Sequence, residues 1–282
     1  MPSVLIVGAA AGIGRALAAE FASHGCDLVL AGRDLPELQA LAADLNLRYG
    51  VRVQARCLDI LNFEFMESGL TACSGAAPSS LEGVVFTVGD LGDQELAGSN
   101  PDEARRILDT NLTGPILALN FLARHFECLA QGFIPASAAP FPATGGSGQV
   151  RMDRSTLPEA EAALGRKRFI CALGSVAGDR GRQSNYLYGS AKAGLATYLQ
   201  GLRNRLHRSG VRVITIKPGF VDTRMTYGKP KLFLVARPEA VARKIYQAIE
   251  QGRDVVYVPW FWKYLMLIVR AIPERIFKRM RM

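Results

Sequence analysis

The sequence predicts an α/β fold in which a mostly parallel, seven-stranded sheet carries helices on both faces. Three observations support this prediction. Seven short apolar runs alternate with helical stretches, which is typical of parallel strands joined by right-handed crossovers. The first run is followed at once by a glycine-rich turn and a helix. Apolar residues make up 49% of the 282 residues, enough to fill one large core.

The predicted strands are the apolar runs at residues 4–7, 27–31, 51–57, 81–88, 169–173, 212–216 and 255–258. Helix signals lie between these runs. Asn100 and Pro101 provide a cap and a first-turn proline, and Asp34 with Glu37 three residues later indicates a second helix start. The longer helices are predicted over residues 15–24, 111–130, 188–209 and 238–251.

The turn after the first strand indicates a dinucleotide site. Gly8, Gly12 and Gly14 allow the backbone to approach a pyrophosphate closely, and the helix behind them offers free N–H groups and a positive dipole end. The spacing is G-x-x-x-G-x-G rather than the more familiar G-x-G-x-x-G, and a plain tight turn is the alternative. Together with the strand pattern, the turn predicts a Rossmann-type, doubly wound domain.

The end of the second strand bears on the choice of cofactor. An acidic residue here would bind the ribose 2′-hydroxyl of NAD, whereas an arginine suits a 2′-phosphate. Arg33, together with Arg15, therefore favours NADP(H), and Asp34 fits the helix cap better than the ribose. After the third strand, Asp59 is either an adenine ligand or an ordinary turn aspartate.

A serine, a tyrosine and a lysine are spaced as one proton-transfer site. Tyr188 and Lys192 are four residues apart, so on a helix they share a face, and the ammonium is expected to lower the pKa of the phenol. Such a phenol can exchange a proton at neutral pH. The hydroxyl of Ser175, just beyond the fifth strand, is placed to hold a substrate oxygen.

Taken in order, these motifs resemble the short-chain dehydrogenase/reductase family over the whole chain except residues 132–165. The resemblance implies a nicotinamide cofactor, Tyr188 as acid/base, Lys192 as ribose ligand and phenol tuner, Ser175 on the carbonyl and Asn111 anchoring a proton-relay water. It implies cofactor contacts at Gly8, Gly12, Ile13, Gly14, Arg15, Arg33, Asp59, Ile60, Gly89, Tyr188, Lys192, Pro218, Gly219, Val221 and Thr223.

Two positions depart from the family pattern. Val7 replaces a threonine that pins the glycine turn in many members, and Thr87-Val88-Gly89 replaces Asn-Asn-Ala-Gly near the adenosine ribose. Neither departure touches the predicted proton-transfer residues, so the resemblance still implies a carbonyl reductase that turns a ketone into an alcohol.

A narrower resemblance is to the decaprenylphosphoryl-2-keto-ribose reductases. It rests on 89–93, 177–178, 188–194 and the end of the chain from Trp260 to Lys278. It implies a keto-sugar on a polyprenyl phosphate as substrate and a flavin oxidase as partner. The alternatives are a 3-oxoacyl or steroid-like carbonyl reductase of the same family and a non-catalytic cofactor-binding interaction protein. The resemblance to the family also implies a homodimer or homotetramer.

The remaining composition excludes several classes. Five scattered cysteines predict a reducing compartment rather than disulfides, and the three separated histidines suggest no metal site. The net charge of +9 has no nucleic-acid motif beside it, and no signal peptide or membrane span is predicted, so we expect a cytoplasmic protein.

We divide the chain into one NADP-binding catalytic domain, residues 1–259, and a basic amphipathic tail, residues 260–282. Residues 132–165, rich in Ala, Pro, Gly and Ser, are predicted to be a mobile insertion within that domain. The tail is predicted to be a helix with Leu265, Ile268, Val269, Ile272 and Ile276 on one face and basic residues opposite. It would lie on the anionic inner face of the cytoplasmic membrane, or else pack on its own domain or form a dimer contact.

Overall fold

A computed structural model describes residues 2–76, 81–130, 133–135, 149–151, 168–226 and 234–280. The two short strands at 133–135 and 149–151 are described as backbone only. Most of the predicted insertion, 132–165, lies outside the described residues, and so does its predicted mobility. The strands are β1 (Ser3–Val7), β2 (Asp27–Gly32), β3 (Val53–Cys57), β4 (Leu81–Phe86), β5 (Phe133–Pro135), β6 (Gln149–Arg151), β7 (Phe169–Leu173), β8 (Arg212–Pro218) and β9 (Val255–Val258).

The main sheet has seven parallel strands in the order β3-β2-β1-β4-β7-β8-β9. The predicted doubly wound fold is therefore confirmed, and β5 and β6 form a separate antiparallel pair. The strand order reverses between β1 and β4. A crevice for ligands opens at such a point, outside the carboxyl ends of the strands.

Helices cover the sheet on both sides. They are α1 (Gly12–Ser23), α2 (Leu35–Tyr49), α3 (Met66–Gly75), α4 (Gln94–Ala97), α5 (Pro101–Leu108), α6 (Gly114–Ala130), α7 (Tyr186–Leu206), α8 (Pro238–Glu250), α9 (Trp262–Ala271) and α10 (Glu274–Phe277). The predicted caps are present, because Asp34 Oδ1 accepts the Glu37 N–H at 3.1 Å and Asn100 Oδ1 accepts the Asp102 N–H at 2.9 Å.

Two buried layers hold the sheet between its helices. One layer packs α1, α2 and α8 against the sheet, and the other packs α3, α6 and α7 against the opposite face. The strands β1, β4 and β7 contribute to both layers because their successive side chains point to opposite faces. This explains why these strands read as continuous apolar runs rather than as alternating ones.

The tail differs from its prediction. It is broken at Pro273 into the ten-residue α9 and the four-residue α10, because Ile272 is extended before the proline. Trp262, Met266 and Val269 are buried against Val176, so the tail packs on its own domain. Of the five residues predicted on one membrane-facing side of the tail, Val269 is buried in this cluster, and Leu265 and Ile272 are partly buried against it. The prediction is therefore wrong for these three. Within the described residues, no helix is long and apolar enough to cross a membrane.

Candidate active site

The glycine turn lies between β1 and α1 at the switch point of the sheet. Gly8 adopts φ +89°, a conformation that favours glycine. The Thr87 hydroxyl donates to Val7 O at 2.9 Å and to Gly8 O at 3.1 Å. Sequence reasoning treated Val7 and Thr87 as lost polar supports. The structure corrects this for the turn, since Thr87, directly after β4, holds the turn through these two bonds.

The turn leaves room only for backbone. A β-carbon on Gly14 would lie 2.3 Å from Gly8 O, and one on Gly12 would lie 2.9 Å from Thr223 Cγ2. The Gly12 contact brings the segment after β8 against the glycine turn, as the predicted cofactor site requires. Ala11 provides no side-chain cap for α1, so the first N–H groups of this helix are available to a phosphate. These residues fit a dinucleotide pyrophosphate.

The edge predicted to meet the adenosine carries two arginines. Arg33 is exposed directly after β2, and Arg15 forms an ion pair with Glu37 at the start of α2. The Asp34 carboxylate caps α2, as predicted, and the Asp59 carboxylate accepts the Leu61 N–H at 3.0 Å. Asp59 therefore makes the turn contact that was one of its two predicted readings.

Asn111 is held in an irregular part of a helix. The prediction that Asn111 opens the long helix is corrected: a π-helical segment, Asp109–Thr113, connects α5 to α6. The Asn111 amide donates to Asp90 O at 2.6 Å and Ile107 O at 2.8 Å, and its oxygen accepts the Asp90 N–H at 3.1 Å. The side chain is fully buried and tied to the loop after β4.

Four predicted catalytic side chains meet beside this loop. A β-carbon on Gly89 would lie 3.1 Å from Lys192 Nζ and 3.2 Å from Asn111 Oδ1. Lys192 Nζ lies 5.8 Å from the centre of the Tyr188 ring and donates to Leu173 O at 3.1 Å. Ser175 follows Leu173 closely, hydrogen-bonds with Tyr188 and accepts the Ala177 N–H at 3.1 Å.

The electrostatics of Tyr188 differ from the prediction. Burial raises the pKa of Tyr188 to about 12, with the Ser175 hydrogen bond acting in the lowering direction and the Asp90 charge in the raising direction. Burial also lowers the pKa of Lys192 to about 8. The expected lowering of the phenol pKa by Lys192 is therefore wrong for this structure, because desolvation dominates both groups. The phenol is held in its protonated form.

Two sets of contacts between distant segments, which the sequence did not reveal, hold together the loops around the site. Asp179 accepts Lys217 Nζ at 2.5 Å and the Tyr257 hydroxyl at 2.8 Å, joining the loop after Ser175 to the ends of β8 and β9. A β-carbon on Gly219 would lie 1.9 Å from Trp262 Nε1, so the tail packs directly on the segment after β8. No local pattern signals such pairings, since the partners are distant in sequence.

Among the described residues, no group of three or more His, Cys, Asp or Glu side chains could hold a metal ion. The five cysteines are free thiols.

Known proteins share both the sequence pattern and the fold. Residues 2–134 and 147–231 match the family described as short chain dehydrogenase. An uncharacterized oxidoreductase of Mycobacterium tuberculosis is 31% identical over 277 residues, covering 98% of this chain and 96% of that protein.

Two solved structures have the same architecture. The short-chain dehydrogenase from Sphingobium yanoikuyae in complex with NADPH has TM-score 0.71 and 22% identity, covering 97% of each chain. The 3-ketoacyl-(acyl-carrier-protein) reductase from Brucella melitensis complexed with NADH has TM-score 0.70 and 19% identity, covering 91% of this chain and 96% of that one. This chain therefore belongs to the short-chain dehydrogenase/reductase family and is an NAD(P)-binding oxidoreductase.

Proposed function

We propose that this protein is an NADP(H)-dependent carbonyl reductase that converts a ketone into an alcohol. The observation that carries the proposal is the convergence of Asn111, Ser175, Tyr188 and Lys192 at the carboxyl edge of the sheet, beside the glycine turn. A reduced nicotinamide bound there supplies a hydride to the carbonyl carbon. The approach of Thr223 to Gly12 supports a cofactor site shared by the glycine turn and the segment after β8.

In this proposal the chain's own residues manage the oxygen and its proton. Ser175 holds the carbonyl oxygen against Tyr188, and Tyr188 gives that oxygen its phenolic proton. A raised pKa suits this direction, because the phenol stays protonated until an alkoxide forms, and an alkoxide is the stronger base. Lys192 donates toward the cofactor ribose and the phenol, and Asn111 keeps the loop after β4 in register for a relay water.

NADP(H) is proposed over NAD(H) on the charge after β2. Arg33 is exposed and free of any ion pair within the described part of the chain, so its guanidinium can meet a 2′-phosphate. The relative from Sphingobium yanoikuyae binds NADPH, whereas the Brucella melitensis reductase binds NADH, and the fold therefore leaves this choice to Arg33 and its surroundings.

For the substrate, we propose a keto-sugar carried on a polyprenyl phosphate, made by a flavin oxidase and reduced at the inner face of the cytoplasmic membrane. One further residue favours a phosphate. Arg182, between Ser175 and Tyr188, is partly buried, its Nε lacks a hydrogen-bond partner, and it contacts Met266 Sδ at 3.6 Å. A partly buried cation with an unpaired N–H suits an anionic group of a ligand.

The test is NADPH consumption by purified protein with three kinds of ketone: a polyprenyl-phosphate keto-sugar, a 3-oxoacyl thioester and a steroid ketone. Preference for the first supports the proposed substrate, and preference for either of the others supports the alternative reductases. Tight NADPH binding with no turnover of any ketone would instead indicate the non-catalytic, cofactor-binding interaction protein. A homodimer or homotetramer, the family expectation, is checked by sedimentation of the same preparation.

A further inference from the structure

The tail helix α9 is apolar on two opposite sides. Its inner side is buried against Val176, but its outer side presents Tyr264, Leu267 and Ile268, the last two each 65% exposed. Trp260, 72% exposed, contacts Tyr264 edge-on with ring centres 5.9 Å apart. We call these four residues the outer face. Exposed apolar side chains gathered on one side of a helix mark an interaction surface, so we expect a partner to cover the outer face.

The surroundings of the outer face are positive. The exposed basic residues of the tail are Lys263, Arg270, Arg275, Lys278 and Arg279. Glu274 is the single acidic residue in the sequence from 260 to 280, and Arg180 binds its carboxylate at 2.7 Å. The charge that remains near the outer face is therefore basic, which suits a surface of anionic headgroups.

Two partners could cover such a face. A second copy of the chain would bring the same basic residues against one another, and like charges in contact oppose association. A membrane surface offers apolar depth and negative charge together, and tryptophan and tyrosine are the side chains that settle at its interface. With ten residues, α9 is far too short to span a bilayer.

We infer that the outer face docks on an anionic membrane surface, with α9 lying in the plane of the interface. The inner side of the same helix places Trp262 on Gly219, in the segment predicted to cover the nicotinamide. Docking of the outer face would therefore set the orientation of the candidate active site relative to the membrane surface. The inference deepens the proposed function and rests on it for the lipid-linked substrate, although binding itself needs no substrate.

The test is flotation of the full chain with two kinds of vesicle, one of phosphatidylcholine alone and one of phosphatidylcholine with phosphatidylglycerol. The variant is Leu267→Glu/Ile268→Glu, which puts two charges on the outer face. The matched control is Leu47→Glu/Leu117→Glu, two exposed leucines on α2 and α6. Circular dichroism melting shows that each variant is folded, and none of these residues belongs to the predicted site.

We expect the wild type and the control to float with the anionic vesicles, and the outer-face variant to bind at least about tenfold more weakly, because carboxylates resist entry into the interface. Lys263→Gln should weaken binding to the anionic vesicles about fivefold at low salt, because one basic residue near the anionic headgroups is lost. Equal flotation of all proteins, or of none, overturns the inference. So does an outer-face variant that dissociates an oligomer while floating like the wild type. NADPH consumption is not part of the readout, so failure of the proposed reaction would leave this result interpretable.

Discussion

Replacing Gly219 by alanine should weaken the fold through a single contact. The new β-carbon would lie 1.9 Å from Trp262 Nε1 and 2.2 Å from Trp262 Cε2, far inside contact distance. The indole is 2% exposed and enclosed by its own cluster, so it cannot swing away freely. Because Gly219 does not have a positive φ, the cost comes from overpacking rather than from backbone strain, and overpacking costs about 1–3 kcal/mol.

A double-mutant cycle isolates that contact. Trp262→Ala alone should lower the free energy of unfolding by about 3–5 kcal/mol, since it empties a buried aromatic position. In Gly219→Ala/Trp262→Ala the clash is gone, so the loss should fall short of the sum of the single losses by about 0.5–3 kcal/mol. Urea unfolding followed by circular dichroism measures all three.

The control for this cycle is Gly201→Ala. A β-carbon at Gly201, on α7, meets nothing within 4 Å, so alanine should be neutral or should stabilise by up to about 1 kcal/mol through its helix propensity. Additive losses in the cycle, or a Gly219→Ala protein as stable as Gly201→Ala, would refute the packing of the tail on the segment after β8.

Three further predictions concern cofactor, charge and substrate. Arg33→Asp should raise the KM for NADPH about tenfold or more while leaving that for NADH nearly unchanged, because a charge-assisted bond to the 2′-phosphate is lost; equal use of both cofactors by the wild type would contradict this. Burial lowers the pKa of Lys192 from its ordinary 10.5 to about 8 in the folded state, so between these values the unfolded state binds more protons and stability rises with pH. In urea unfolding, the free energy of unfolding of the wild type relative to that of Lys192→Met should therefore increase between pH 7 and 9.5. Parallel pH profiles of the two proteins would exclude a neutral buried lysine. Arg182→Gln should raise the KM for a phosphate-bearing ketone but not for an uncharged one, and equal effects on both would remove Arg182 from substrate recognition.

The sequence predicted the architecture well because the signals were local. Continuous apolar runs such as Phe169–Leu173 mark strands buried on both faces, and the pairing of Asp34 with the Glu37 N–H is a three-residue pattern. The candidate site could be predicted for the same reason, since Ser175 follows a predictable strand and Tyr188 and Lys192 lie in the first turns of a predictable helix.

What the sequence missed depends on burial and on contacts between distant segments. The pKa of Tyr188 rises because the folded chain removes the phenol from water, which no spacing rule measures. Thr87, which follows β4, hydrogen-bonds to Val7 O in the strand before the glycine turn, eighty residues away in sequence. The 3.6-residue period of its apolar residues predicted the tail as one helix. In the structure, Pro273 determines where this helix breaks, and the packing of Trp262 on Gly219 determines which side of it is buried.

The most direct test of the reductase proposal is transfer of deuterium from NADPH carrying deuterium at both C4 positions to a ketone, by the wild type and by Tyr188→Phe. We expect deuterium on the carbinol carbon with wild type, and a kcat about 10²–10⁴-fold lower in Tyr188→Phe with unchanged NADPH affinity, since the shape of the ring remains and its proton does not. Deuterium transfer at an undiminished rate by Tyr188→Phe, or NADPH oxidation without deuterium in the product, would contradict it.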